Sequence, residues 1–207
     1  MADTSSDGAS ERQSRSDLDR LLQDMLDRPE AQDRIIEEIE GIFGHAAAVL
    51  VLDMSGFSRS TQQHGIVRFL LMIFQMRVLA ESAIRRSGGV LVKSEADNLY
   101  CRFPTVDAAV TAAMEIIERL DTVNPLLPTD RRLYASMGIG FGRILVIEGQ
   151  DMFGDEVNLA CKLAEDVAQR GEVLMTQAAR ASLGIEVDGV GKTVGISGLA
   201  LHYHQLL

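Results

Sequence analysis

The sequence predicts an α+β domain, ferredoxin-like, in which a split βαβ plan places helices over one face of a mainly antiparallel sheet. Three observations predict it. Short apolar runs bounded by Gly, Pro or acids recur as strands, and longer stretches repeat apolar residues at i, i+3 and i+4 as helices. The two kinds follow one another as β-α-α-β-β-α-β, with β-β-α additions. A chain of 207 residues with 46% hydrophobic and 24% charged content holds one domain with a core, plus an extension.

Residues 1–16 are Ser, Asp, Arg and Gln with almost nothing apolar, and are expected to be a disordered tail. Leu18, Leu21, Leu22, Met25 and Leu26 then take helical spacing, capped by Ser16 or Asp17, until Pro29 ends or kinks the helix. A second stripe of Ile35, Ile36, Ile39, Ile42 and Phe43 completes a short N-terminal helical segment over 17–45. Its apolar faces are expected to pack on the domain's own core or on another subunit; the repeat is too short for a coiled coil.

The main domain runs over 46–207. Ala47–Leu52 reads as a buried strand bounded by Asp53 and Gly56, and helical periodicity runs from about Ser58 to Arg86, where Gly88-Gly89 stops it. Within that stretch Ile66–Ala83 reads as a buried helix. Arg68, Gln75, Arg77, Glu81 and Ser82 interrupt it, and it falls short of the ~20 apolar residues a membrane span requires. Val90–Val92 and Asn98–Phe103 form a hairpin turning at Ser94–Ala96, and Pro104 and Asp107 open a helix through Leu120. Strands follow at Leu133–Gly140 and Ile144–Ile147, a helix at Asp155–Gln169, a strand at Glu172–Met175 and a short helix at Gln177–Leu183. Thr193–Ile196 and Leu199–His204 read as a closing pair of strands.

Charge and cysteine usage exclude some functions. A net charge of -10 argues against nucleic acid, whose phosphates are gripped by clustered Lys and Arg, and against an anionic membrane surface. An acidic chain still binds a nucleotide when divalent metal neutralises the triphosphate. Cys101 and Cys161 lie in apolar patterns without metal-ligand spacing, as in a reduced, cytoplasmic protein. The start, Met-Ala-Asp-Thr-Ser-Ser-Asp-Gly, lacks the basic and apolar regions of a signal peptide.

The chemistry concentrates in Asp151-Met-Phe-Gly-Asp-Glu-Val-Asn158-Leu-Ala-Cys-Lys162. An acid and a Gly turn lead into a helix on which Asn158 and Lys162, four apart, project together as an amide and an ammonium. Two isolated acids stand upstream at strand ends: Asp53, before Met-Ser-Gly-Phe-Ser, and Asp97, at the end of Val-Lys-Ser-Glu-Ala-Asp. The small residues after Asp53 let backbone N–H groups point at an anion near a helix N-terminus. A lone Asp at such a junction is more often a helix cap, and a lone Lys more often a solvated charge. The weight lies in the paired spacing of two carboxylates for metal, a lysine and an acid for a base, and an amide–ammonium pair.

Taken together these residues resemble the class III nucleotidyl cyclases, the adenylate and guanylate cyclase family, over about Ala47 to Leu206. The resemblance implies the palm-like cyclase catalytic fold, with Asp53 and Asp97 as ligands of two divalent metal ions, Mg or Mn, and Gly56 and Phe57 in a phosphate loop. Lys93, four before Asp97, and Asp151, seven before Asn158, match the two base-selecting places. Lysine donates to adenine N1, where guanine would present a donor, and Asp151 accepts from the 6-amino group, so the pair implies ATP. Asn158 matches the amide that orients the ribose. Lys162 stands where the family has an arginine against the α-phosphate, keeping the charge without the planar fork. Ala96 stands where the family usually has Gly. Ser136 and Ser197-Gly198 stand where it carries an Arg and a Lys-Gly, with Arg131, Arg132, Arg143 and Lys192 nearby in sequence. The implied activity is an adenylate cyclase working as a homodimer, with no nucleic acid and no membrane insertion. A non-catalytic nucleotide-binding module, or a cyclase for another nucleotide, is the alternative.

Overall fold

The computed structural model describes residues 13–55, 65–196 and 199–207. Most of the expected tail, the start of the long helix at about Ser58, Gly56, Phe57 and Ser197-Gly198 lie outside these residues. The order is α1 (Arg15–Asp27), α2 (Gln32–Phe43), β1 (Gly44–Met54), α3 (Ile66–Arg86), β2 (Val90–Glu95), β3 (Asn98–Phe103) and α4 (Val106–Val123). It continues with β4 (Ala135–Ile147), β5 (Asp151–Phe153), α5 (Asp155–Lys162), β6 (Val173–Thr176), α6 (Gln177–Ala181), β7 (Gly189–Ile196) and β8 (Leu199–Leu206).

The sheet order is β2-β3-β1-β4-β6-β8-β7, with β5 paired to β4. The first four strands are antiparallel, and α3 and α4 make the two crossovers, which is the split βαβ arrangement. Among the described residues only β4 and β6 pair in parallel. The two strands expected at Leu133–Gly140 and Ile144–Ile147 are one continuous strand, because Phe141 to Arg143 keep pairing with Ala46 to Ala48 of β1. The helix expected to reach Gln169 changes to a π-turn at Leu163–Val167, and β5 is a short strand that sequence periodicity did not reveal.

Helices lie on both faces of the sheet, a correction to the one-face expectation. Alternation along β1 divides its side chains. Ala48, Leu50, Leu52 and Met54 pack with α3 and α4, on Met72, Met76, Ala80, Ala109, Ala113 and Ile116. Ala47, Val49 and Val51 pack with Val157, Ala160 and Ala164 of α5 and its continuation. Asp53 continues the second series, so its carboxyl belongs to the α5 face.

The close seat of α5 has a specific cause. A Cβ on Gly138 would fall 2.1 Å from the carbonyl oxygen of Ala160, and one on Gly140 2.5 Å from that of Glu156. Bare backbone at these positions lets α5 rest directly on β4. The carboxylate of Glu156 ties the contact by accepting from the Phe141 N–H at 3.0 Å and the Thr176 hydroxyl at 2.6 Å.

The Ile66–Ala83 stretch is only half-buried. Met72, Met76, Ala80 and Ala83 face the core, but Ile66, Val67, Leu70, Leu71, Phe74 and Val78 are exposed along one side of α3. Apolar composition alone had hidden this two-sidedness. At the N-terminus, Leu18 and Leu21 of α1 pack with Ile35, Ile39 and Phe43 of α2 and with Ile147 of β4. The cap of α1 is Ser14, not Ser16 or Asp17. Its side chain accepts from the Asp17 N–H, and Asp17 returns the bond to the Ser14 N–H. Among the described residues no helix is long and apolar enough to cross a membrane.

Candidate active site

Asp53 lies near the C-terminal end of the central strand β1, directly opposite Ser136 of β4. The Ser136 hydroxyl donates to its Oδ2 at 3.5 Å and also shares a 2.9 Å hydrogen bond with Ser55. Burial pushes the Asp53 carboxyl up to about 6, and the neighbouring carboxylates of Asp97 and Glu165 add to the rise against the Ser136 bond. Glu165, on the π-turn after Lys162, is raised for like reasons: burial first, then Asp166 and Asp97. Asn98 donates to Glu165 at 2.7 Å.

These acids form a site of concentrated negative charge. Among the described residues no three His, Cys, Asp or Glu converge on a common metal position. Two carboxylates with hard oxygen donors, leaving the remaining positions to phosphate and water, suit magnesium or manganese better than a closed protein cage would. The donor set therefore fits the divalent ions expected at Asp53 and Asp97.

Asp97 sits in the tight β2–β3 turn, immediately after Ala96, whose φ is +51°. That left-handed conformation costs an L-residue about 1–2 kcal/mol, whereas glycine adopts it freely. At this place in the chain glycine would be favoured by backbone angle rather than by size. Ala96→Gly is expected to stabilise the metal-free protein by about 0.5–1 kcal/mol, after allowance for the greater freedom of glycine in the unfolded chain. Urea melts measure it; an unchanged or lower midpoint would show that the turn is not left-handed in solution.

Lys93 and Asp151, 58 residues apart in sequence, meet at 3.1 Å between Nζ and Oδ1. Pairing along the hairpin slips between Leu91 and Lys93 and sets Lys93 opposite Tyr100. The ammonium lies 4.7 Å from the centre of that ring. Glu95 pairs with the same ammonium at 2.8 Å. The Glu95 bond, followed by Asp151, raises Lys93 above its ordinary value although burial works against the charge. Sequence reasoning did not single out Glu95 as a site residue; its place two residues from Lys93 on a strand was the available signal.

On α5, Val157 and Ala160 are buried beneath Asn158, which is exposed, and Lys162, which is half-buried. Neither side chain makes a hydrogen bond or ion pair among the described residues. The phosphate-loop residues Gly56 and Phe57 lie outside the described residues. Of the nearby cations, Arg143 is bound to Glu40 of α2 at 3.1 Å, seven residues along β4 from Ser136 and so roughly 23 Å away. Lys192 lies on the edge strand β7, bonded to Gln205. Arg131 lines a groove with Arg68, Met72 and Gln75 of α3. Arg132 stands three residues before β4, at the Asp53 end, with its Nε buried and without a partner. Both cysteines are free; burial raises the thiol of Cys101, and that of Cys161 to about 11, so neither is a thiolate nucleophile.

No family model matches the chain. Among curated proteins it is 28% identical over 137 residues to "Putative adenylate cyclase 3" of Rhizobium meliloti (strain 1021). The match takes in 66% of this chain and 23% of that protein, so the chain spans about a quarter of this relative's length. Among solved structures it superposes on the adenylate/guanylate cyclase/hydrolase from Silicibacter pomeroyi with a TM-score of 0.65 and 26% identity, over 79% of this chain and 97% of that one. In sequence and in fold the chain is similar to adenylate and guanylate cyclase catalytic domains. The guanylyl cyclase Cya2 shares this cyclase fold, with a TM-score of 0.69 at 18% identity over 79% of this chain and 92% of that one. Cyclase folds named for both purines are thus among its structural neighbours, and base choice has to be read from the domain's own residues.

Proposed function

We propose that the chain is an adenylate cyclase, converting ATP to 3′,5′-cyclic AMP and pyrophosphate at a homodimer interface in the cytoplasm. The observation that carries this reading is the Lys93–Asp151 pair, a donor and an acceptor held 3.1 Å apart. An ammonium has three donors. Glu95 and Asp151 take two, leaving one for adenine N1, while Asp151 accepts from the 6-amino group. Asn158 orients the ribose, and Lys162 places positive charge against the α-phosphate. The ribose 3′-oxygen forms its bond to the α-phosphorus, the bond to the β-phosphate oxygen breaks, and the hydroxyl proton passes to solvent. Asp53 and Asp97 would hold two divalent ions, which supply charge neutralisation and a more acidic 3′-hydroxyl when bound.

The homodimer reading is supported by the free polar face of α5. Asn158 and Lys162 make no hydrogen bond or ion pair with carboxylates of their own chain among the described residues, as expected if they complete the site of a second copy. Mass spectrometry of purified protein with each nucleoside triphosphate and Mn²⁺ or Mg²⁺ tests the reading. Cyclic AMP is the expected product, and intact nucleotides throughout would reject it.

A second reading, a non-catalytic nucleotide-binding module, is favoured by one observation. The family's arginine place is filled by buried Ser136, which spends its hydroxyl on Asp53. The base contacts give a further expected result. Lys93→Glu with Asp151→Cys reverses the donor–acceptor pattern, and each buried mismatch is worth roughly 1–3 kcal/mol, about tenfold or more. The ratio of kcat/KM for ATP to that for GTP should fall accordingly; an unchanged ratio would show that these residues do not read the base.

A further inference from the structure

We propose that Arg15, in the first turn of α1, is a positioning residue for Asp151, so that the base-reading pair is complete only when the N-terminal helix is docked. This rests on the reading of Lys93 and Asp151 as contacts to the base.

The two oxygens of Asp151 are used differently. Oδ1 accepts from Lys93 at 3.1 Å and from the Met152 N–H at 3.0 Å. Oδ2 faces the Arg15 guanidinium at 3.7 Å, within ion-pair reach but longer than a direct hydrogen bond. Arg15 therefore pulls the free oxygen without blocking it. The same guanidinium lies 5.5 Å from the ring centre of Phe153. Asp151 and Phe153 are two apart on β5 and share a face, so Arg15 lies along that one face and reaches both.

Two further features show that this placement is built. A cation in the first turn of a helix is opposed by the macrodipole. Here Asp19, one turn on, holds the Arg15 Nε at 3.2 Å, and Asp151 supplies a second anion. The docking of α1 also ends on the same hairpin. Leu18 and Leu21 pack with Ile147, and Ile147 is the cross-strand partner of Asp151. One helix thus grips both members of a β4–β5 pair, one by apolar contact and the other by charge.

The test compares Arg15→Gln and Arg15→Lys with the unaltered chain. Arg15 is about half exposed, so the expected effect is modest. Arg15→Gln should raise KM for ATP roughly threefold with kcat little changed and narrow the ATP-to-GTP preference, and Arg15→Lys should restore much of both. Leu21→Glu, which undocks α1, should reproduce the Gln phenotype. Hydrogen exchange supplies a readout independent of nucleotide: in Arg15→Gln the Met152 amide should exchange faster while the amides of α1 keep their protection. Unchanged KM and base preference in an active protein would overturn the proposal. Should the unaltered chain turn over no nucleotide, the cyclase reading falls separately and Met152 exchange decides: faster exchange upholds the positioning role, and unchanged exchange overturns it.

Discussion

Asp53→Ala and Asp97→Ala are each expected to lose cyclase activity, at least a thousandfold in kcat/KM, while keeping the far-ultraviolet circular dichroism of the parent. On the proposed mechanism, removing either carboxylate would remove a ligand from the divalent ions that would neutralise charge in the transition state, an effect of several kcal/mol. A second measurement separates this loss from misfolding. The Asp53 carboxyl is raised from 3.8 to about 6 by burial and by Asp97 and Glu165, so the folded state binds its proton more tightly than the unfolded chain does. Its contribution to stability is present below about pH 4 and is lost as pH rises through about 6. At pH 7 without metal the ionised group is a liability, worth about 1 kcal/mol after allowance for solvent screening. With chelator present, Asp53→Asn should therefore melt roughly 2–4 °C above the parent at pH 7 and level with it at pH 4. Normal turnover in either alanine variant would remove the two-carboxylate mechanism.

Mixing two dead proteins should restore activity. Asp53→Ala and Asn158→Ala are each expected to be inactive as homodimers, because every site in either one carries a lesion. In a heterodimer one site combines both lesions and the other combines none, so each heterodimer should recover up to about half the parental activity by symmetry. Subunit exchange can be verified with differently tagged chains. Exchange without recovery would reject a site shared between copies and place Asp53 and Asn158 in separate roles.

Most of the architecture was legible because the core elements obey their periods. The apolar run in β1, the stripes of α1 and α2 and the Gly88-Gly89 stop lie where burial requires them. The errors share a cause: local pattern does not record what lies across the sheet. The strand expected to stop at Gly140 runs on to Ile147, and the glycines within it, Gly138 and Gly140, are the seat of α5. The apolar composition of α3 suggested full burial, although six of its large side chains face outward. The spacing that places Ala96 before Asp97 does not show its positive φ, which only the folded turn reveals.

The sequence by itself determined which residues are the candidates for the chemistry. Two acids at strand ends, and an amide and an ammonium one helical turn apart, follow from local spacing, which chain geometry constrains directly. Only the tertiary structure decided the electrostatics of those residues. Lys93 meets Asp151 across 58 residues, Ser136 meets Asp53 across 83, and Glu165 and Arg15 enter the site's surroundings from elements with no local link to it. Coulomb interactions and hydrogen bonds depend on distance through space, and that distance is set by which strands pair and where a helix can sit close.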